Sequence, residues 1–85
     1  MKVVFFTKDK EKELDDVVSV DFVGDNGKFR ILKDHDKLVS LLPKGDFKCA
    51  VNGRKEVVLN VISGLVNVEN NIISVFLTEY SGDIA

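Results

Sequence analysis

The residues best suited to chemistry are an isolated histidine and the two carboxylates beside it. His35 is the only histidine of the 85-residue chain, and it stands in the sequence Asp34-His35-Asp36. A carboxylate can orient an imidazole for acid–base work, and the two groups together can bind a metal. Consecutive residues of an extended chain point to opposite sides, however, and no second histidine is available for a zinc site. The sequence therefore predicts neither a catalytic centre nor a metal site here.

The only cysteine is interpreted as a core residue. Cys49 alternates with Phe47 and Val51 in an apolar segment. Burial among apolar side chains raises the pKa of a thiol and removes its nucleophilic form. A single cysteine also excludes an intrachain disulfide and fits a reducing compartment.

A pair of glycines three residues apart is interpreted as a turn. The segment Gly24-Asp25-Asn26-Gly27 lacks the Lys-Ser/Thr pair and the following helix of a phosphate-binding loop. It also lacks the helices and basic surroundings of a nucleic-acid-binding GxxG loop. Glycine and asparagine adopt positive φ readily, so we predict a tight turn.

The elements that would position these residues are β-strands, because apolar residues recur mostly with a period of two. Val18, Val20 and Phe22 form one such set, and Asn52-Gly53 is the strongest short-range hairpin signal. Three hairpins are predicted, each with turn residues between two alternating segments: 18–22 with 29–31, 47–51 with 57–61, and 65–68 with 72–77.

Two stretches depart from this pattern. Residues 7–16 include a run of mixed charges, which is typical of a solvated loop or a sheet edge. Residues 34–42 are compatible with a short helix that Asp34 caps and Pro43 ends, or equally with a bend and a short strand. With at least six strands and no convincing helix of ten residues, we predict an all-β fold, a β-sandwich or flattened barrel of antiparallel hairpins, as a single domain over residues 1–85.

Composition narrows the class of protein further. The chain has 14 acidic and 12 basic residues, a net charge of -2, which is unlike a nucleic-acid binder. A chain of this size buries only ~60% of its unfolded surface, so little is left for a catalytic cleft. The apolar start, Met1 to Phe6, is too short for a signal peptide or a membrane span, and we expect the chain to stay in the cytoplasm.

Turn residues and apolar positions recur in a defined order and spacing from Val17 to Phe76. The pieces are Val17, Val20 and Phe22 before Gly24-x-x-Gly27; Ile31-Leu32-x-x-His35-x-x-Leu38-Val39-Ser40-x-Leu42-x-x-Gly45; Ile62-Ser63-Gly64-Leu65-Val66-x-Val68; and Ile73-Ser74-Val75-Phe76. No single piece is diagnostic, but together, and without a gap, they resemble the N-terminal β-sandwich domain of the ε subunit of F-type ATP synthases.

The resemblance implies a non-catalytic rotor subunit of the central stalk, which couples the γ subunit to the membrane c-ring during proton-driven ATP synthesis. It implies a peripheral position on the cytoplasmic face of the energy-transducing inner membrane. No cofactor, bound nucleotide, nucleic acid or direct membrane insertion is expected. The partner-binding residues implied are Asn26, Gly27 and Lys28 toward the c-ring, and His35, Asp36 and Leu38 toward γ and the ring.

The chain departs from the family pattern in the loop before the histidine and at its end. Lys33-Asp34 stands where the family commonly has Pro-Gly, and Asp36 replaces a small residue, so the loop is expected to differ in shape. The chain stops at Ala85, before the C-terminal helical hairpin that restrains ATP hydrolysis in the family. We therefore expect this polypeptide to have no nucleotide site and no inhibitory role.

Two other interpretations stay open on the sequence alone. A lipoyl- or biotinyl-type carrier domain is also a flattened β-barrel of about this size, and Asp36-Lys37-Leu38 weakly resembles its modification motif, with Lys37 as the modified residue. The other is a β-sandwich interaction module of no assigned family.

Overall fold

The computed structural model describes residues 1–84, which form eight strands. None of these residues belongs to a helix that could cross a membrane. The strands are β1 (Lys2–Phe6), β2 (Glu11–Leu14), β3 (Val17–Gly24), β4 (Gly27–Ile31), β5 (Leu38–Leu42), β6 (Gly45–Val51), β7 (Val57–Glu69) and β8 (Ile72–Ser81). The predicted all-β fold class is confirmed.

The three predicted hairpins are present, with β3 joined to β4, β6 to β7, and β7 to β8. Gly27 and Gly53 have positive φ (116° and 78°), as their turns require. Asn70 and Asn71 also lie in the left-handed region, at φ 52° and 61°. Two successive left-handed residues make a turn whose twist matches that of the adjoining strands.

The long strand β7 pairs with three other strands among residues 1–84. It pairs along one edge with β8, while its other edge pairs first with β6 and then with β5. The register of β7 against β8 shifts between Val61 and Gly64. At the same point, the partner on the other edge of β7 changes from β6 to β5. A β-bulge of this kind bends a strand and increases its twist. The bend allows β7 to pair with both β6 and β5 along one edge.

The first strands show pairings that local patterns do not predict. β1 lies next to β8 and runs parallel to it, whereas all other pairs are antiparallel. β2 covers the outer edge of β1 and comes from the charged stretch 7–16, which confirms the prediction of a sheet edge. Charged side chains are common on edge strands because they discourage pairing with other molecules.

Residues 34–42 contain a bend followed by β5, so the short-helix interpretation is wrong. Asp34 does not cap a helix but adopts φ 65° in the bend. β5 forms because β7 offers it a free edge over residues 64–68. The pairing of β5 with β7 thus decides between a helix and a strand, which the local sequence favours about equally.

One predicted face is shifted by a second bulge. The pairing of β3 with β6 is irregular between Val17 and Ser19, so Val17 turns inward and Val18 turns outward. Val17 is buried, whereas the side chain of Val18 is 56% exposed. The prediction that Val18 shares a face with Val20 and Phe22 is therefore wrong, because a bulge breaks the period of two.

The sheet folds over itself and packs face to face, without closing into a barrel. β1 and β6 are separated by β8 and β7 in the strand order, yet the rings of Phe5 and Phe47 meet edge to face with centroids 5.9 Å apart. Phe47 also stacks on Phe22 of β3 at 5.6 Å. Such contacts between distant strands require two packed layers, which agrees with the sandwich prediction.

Candidate functional site

The first predicted group of site residues lies at the tip of the β3–β4 hairpin. Asn26, Gly27 and Lys28 are all exposed there. Nothing lies within 4 Å of the position that a Cβ would take at Gly27, so the tip projects freely. The tip can contact a partner without any change in the core.

Lys28 lies at one end of a charged face on the outer side of β3, β4 and β6. Arg30 is two residues along the same strand, and its register partner Asp21 is in turn opposite Lys48. Nε and Nη2 of Arg30 donate to the two carboxylate oxygens of Asp21 at 2.8 and 3.2 Å. This hydrogen bond raises the pKa of the Arg30 guanidinium. Lys28, Lys48 and Arg30 line one open cleft of about 470 Å³ with Asp21, Phe22, Val23, Phe29 and Asp46.

The second predicted group lies in the connection between β4 and β5, here called the His35 loop (residues 32–37). It follows the end of β4, so His35 and Lys28 lie at opposite ends of that strand and do not form one site. Nδ1 of His35 is 2.7 Å from the carbonyl oxygen of Asp36. The carboxylate of Asp34 accepts a hydrogen bond from Nδ2 of Asn71. Residues 1–84 contain no group of three or more His, Cys, Asp or Glu able to hold a metal.

Leu38, the last predicted site residue, turns toward the core. It is half-buried and packs against the core cluster, and its register partner is the buried Val68. The side chains that β5 presents to solvent are Val39 and Leu41, which are 58% and 57% exposed. The outward face of β5 therefore begins one residue after Leu38.

Leu41 belongs to a line of apolar side chains that the sequence did not predict as a site. Leu41 pairs with Leu65, Leu65 with Phe76, and Phe76 with Phe6, across β5, β7, β8 and β1. Paired residues of neighbouring strands project from the same face of a sheet. The rings of Phe6 and Phe76 stack with centroids 4.9 Å apart, and Phe76 is 43% exposed. These four residues are called the apolar row below.

Ion pairs accompany the apolar row on the same face. Nζ of Lys37 lies 3.6 Å from a carboxylate oxygen of Glu69, and Nζ of Lys2 lies 3.7 Å from one of Glu13. A central apolar patch with a charged rim is the usual arrangement of a protein–protein interface. A contiguous row of exposed apolar residues, unlike a single one, indicates contact with another surface.

The thiol of Cys49 is not available for chemistry. Its side chain is completely buried on β6. Desolvation, with a smaller contribution from the charge of Glu56, raises its pKa to about 12. The interpretation of Cys49 as an inert core residue is confirmed.

These features define a class: a β-sandwich whose functional surfaces are a projecting hairpin tip, a structured loop and an outward apolar row. Residues 1–80 match the family model described as ATP synthase, Delta/Epsilon chain, beta-sandwich domain. The chain belongs to this family, as the sequence resemblance predicted.

Solved structures of similar fold come from two mitochondrial ATP synthases. A chain in the Euglena gracilis OSCP/F1/c-ring assembly has 15% sequence identity and a TM-score of 0.81; the match covers 94% of this chain and 51% of that one. A chain in the Tetrahymena thermophila central stalk/c-ring assembly has 18% identity and a TM-score of 0.79; the match covers 96% of this chain and 66% of that one. The present chain thus spans between about half and two thirds of their lengths. No curated protein sequence matches it.

The match to the Delta/Epsilon chain family argues against the interpretation of this chain as a lipoyl- or biotinyl-type carrier domain. Lys37 lies in the His35 loop, next to β5, and pairs with Glu69. A carrier domain would present its modified lysine at the tip of a tight hairpin. Lys37 lies in none of the three hairpin connections, which are residues 25–26, 52–56 and 70–71.

Proposed function

We propose that this chain is a non-catalytic subunit of the central stalk of an F-type ATP synthase, where it links the γ subunit to the c-ring of the membrane sector. Its position would be peripheral, on the cytoplasmic face of the energy-transducing membrane. The observation that carries the proposal is the apolar row on the outer face of a chain whose family is that of the ATP synthase Delta/Epsilon chain.

The apolar row is the surface proposed to face γ. Leu41 and Phe76 expose 57% and 43% of their side chains, and Val39 adds a further apolar neighbour on β5. Burial of such side chains at an interface contributes about 25 cal/mol per Å² of apolar area. The His35 loop adjoins the end of β5, so His35 and Asp36 can add polar contacts at one side of the same interface.

The hairpin tip is the surface proposed to face the c-ring. Asn26 offers an amide and Lys28 an ammonium group, and both are exposed. These groups suit polar loops that carry carboxylates or free carbonyl oxygens. The two partners would then contact different parts of one rigid sandwich, so rotation of one would be passed to the other through the β-sheet core.

This chain would carry out no reaction step itself. Catalysis by Cys49 is prevented by burial and by a pKa of about 12. Nδ1 of His35 meets the backbone carbonyl of Asp36, and the carboxylate of the neighbouring Asp34 accepts a hydrogen bond from Asn71. Proton-driven synthesis would remain with the catalytic and membrane subunits.

The test is co-purification of the chain with a γ subunit of an F-type ATP synthase, followed by calorimetric titration of the purified pair. A stable one-to-one complex is expected. His35→Ala should weaken binding to γ, and Lys28→Glu should weaken assembly with the c-ring but leave γ binding unchanged. Lys28 is exposed, so its change should alter the free energy of unfolding by less than ~0.5 kcal/mol, whereas His35 is half-buried and urea unfolding of the free His35→Ala chain is the control. Absence of any complex at micromolar concentrations would refute the proposal.

A further inference from the structure

The His35 loop is joined to the β7–β8 turn by two hydrogen bonds that run in opposite directions. The backbone N–H of Asp34 donates to Oδ1 of Asn71 at 2.6 Å, and Nδ2 of Asn71 donates to Oδ1 of Asp34 at 2.9 Å. One amide side chain therefore holds both the backbone and the side chain of a single loop residue. The two residues are 37 positions apart in the sequence.

Both residues take a backbone conformation that favours glycine. Asp34 has φ 65° and Asn71 has φ 61°. Aspartate and asparagine are the side chains that tolerate this region best, in part because they make local hydrogen bonds. Here the two hydrogen bonds offset some of the conformational cost at both positions.

The remaining contacts of the loop are weaker or internal to it. The N–H of His35 donates to the carbonyl oxygen of Leu32 at 3.3 Å, which closes the bend but does not attach it to a neighbour. Lys37 and Glu69 form an ion pair at 3.6 Å between two exposed side chains, and such pairs contribute little. The Asp34–Asn71 pair is therefore the main polar link between the loop and the hairpin beside it.

We propose that Asn71 is a positioning residue for partner binding, which holds the His35 loop in one conformation before the partner arrives. This inference rests on the proposed function, in which the loop adjoins the surface that faces γ. A loop that is already ordered loses less conformational entropy on association. Without the Asn71 amide, the loop would lose conformational entropy when γ binds, and the affinity for γ would fall.

Three variants separate this role from a general effect on stability. Asn71→Gly removes both hydrogen bonds and keeps the left-handed turn accessible. Asn70→Gly is the matched control, because Asn70 has the same residue type and a similar φ of 52° but no hydrogen bond to the loop. Asp34→Asn is the conservative variant, since it retains an oxygen acceptor for Nδ2 of Asn71 and tolerates positive φ.

The first measurement is backbone amide hydrogen exchange of the isolated chain. In Asn71→Gly we expect the amides of Asp34 and His35 to exchange at least about tenfold faster, with the strand amides unchanged. Asn70→Gly and Asp34→Asn should retain the wild-type rates. The second measurement is the Kd for purified γ subunit, which Asn71→Gly should raise about five- to tenfold and the other two variants less than about twofold.

Several outcomes would overturn the inference. Unchanged loop exchange in Asn71→Gly would mean that the loop is ordered by other contacts. Faster exchange with an unchanged Kd would mean that loop order does not matter for binding, and faster exchange in every strand would indicate a global loss of stability instead. If the wild-type chain does not bind γ, the proposed function fails and the binding role of Asn71 with it, while the exchange rates still decide whether Asn71 orders the loop.

Discussion

The sharpest test of the proposed γ-facing surface compares two valines of almost equal exposure in different parts of the molecule. Val39 lies next to the apolar row on β5 and is 58% exposed, whereas Val18 lies at the bulge of β3 and is 56% exposed. Each is changed to alanine. The two substitutions remove the same two methyl groups, so their effects on folding should be alike.

The magnitude follows from the exposed fraction. Two methyl groups are worth about 1.6 kcal/mol when fully buried, at about 0.8 kcal/mol per carbon. At Val39 the 58% that is exposed in the free chain can still be buried by a partner, which amounts to about 0.9 kcal/mol. This corresponds to an increase of about fivefold in Kd. The fraction of each valine that is already buried in the free chain contributes about 0.7 kcal/mol to the free energy of unfolding, and this contribution is nearly the same for Val39 and Val18.

The assay is calorimetric titration of each variant with purified γ subunit, with urea unfolding of the free chain as the control. Val39→Ala should raise the Kd about fivefold, and Val18→Ala should leave it unchanged, while both lower the free energy of unfolding by a similar amount. Equal Kd values for the two variants would refute the assignment of this face. A loss of binding in Val18→Ala alone would indicate that the partner binds the β3 side.

Three further predictions concern the core and the thiol. Gly64→Ala would place a Cβ 2.6 Å from the carbonyl oxygen of Phe76, so β7 and β8 must move apart; urea unfolding should show a loss of about 1–3 kcal/mol, and an unchanged midpoint would contradict this. Phe47→Ala removes a buried ring that contacts Phe5, and a loss of about 3–5 kcal/mol is expected in the same assay. Cys49, with its pKa near 12, should not react with a thiol reagent at pH 8 until urea unfolds the chain; rapid labelling of the folded chain would show that it is accessible.

Turns were predictable from the sequence because their determinants are local. Asn52-Gly53 and Asn70-Asn71 carry the residue types that positive φ requires, and each lies between the two strands that it joins. The parallel pairing of β1 with β8 has no such signal, since Val3 and Ile73 meet only in the folded chain. The bulge at Val17 was also missed, because alternation is read as uninterrupted unless a glycine or an insertion marks the break.

The candidate site was only partly predictable for a related reason. The family pattern points to Lys28, which is exposed, and to His35, which is half-buried in its loop. Leu41 and Phe76 have the same residue types as the core, so hydropathy alone cannot say which apolar residues face outward. Only the strand register shows that these two share an outer face. Asn71 was predicted as a turn residue, and its bonds to Asp34 depend on tertiary structure.

The parallel pairing of β1 and β8 has a consequence for how the protein is made. β1 is synthesised first, but the strand that it pairs with along residues 72–76 is synthesised last of the eight. The ribosome therefore exposes an apolar strand that must wait until β8 emerges, and closing so long a loop slows folding. During that interval its open edge can pair with other chains. The N-terminal strand is therefore the part of a newly made chain that stays open to wrong pairing until translation has passed β8.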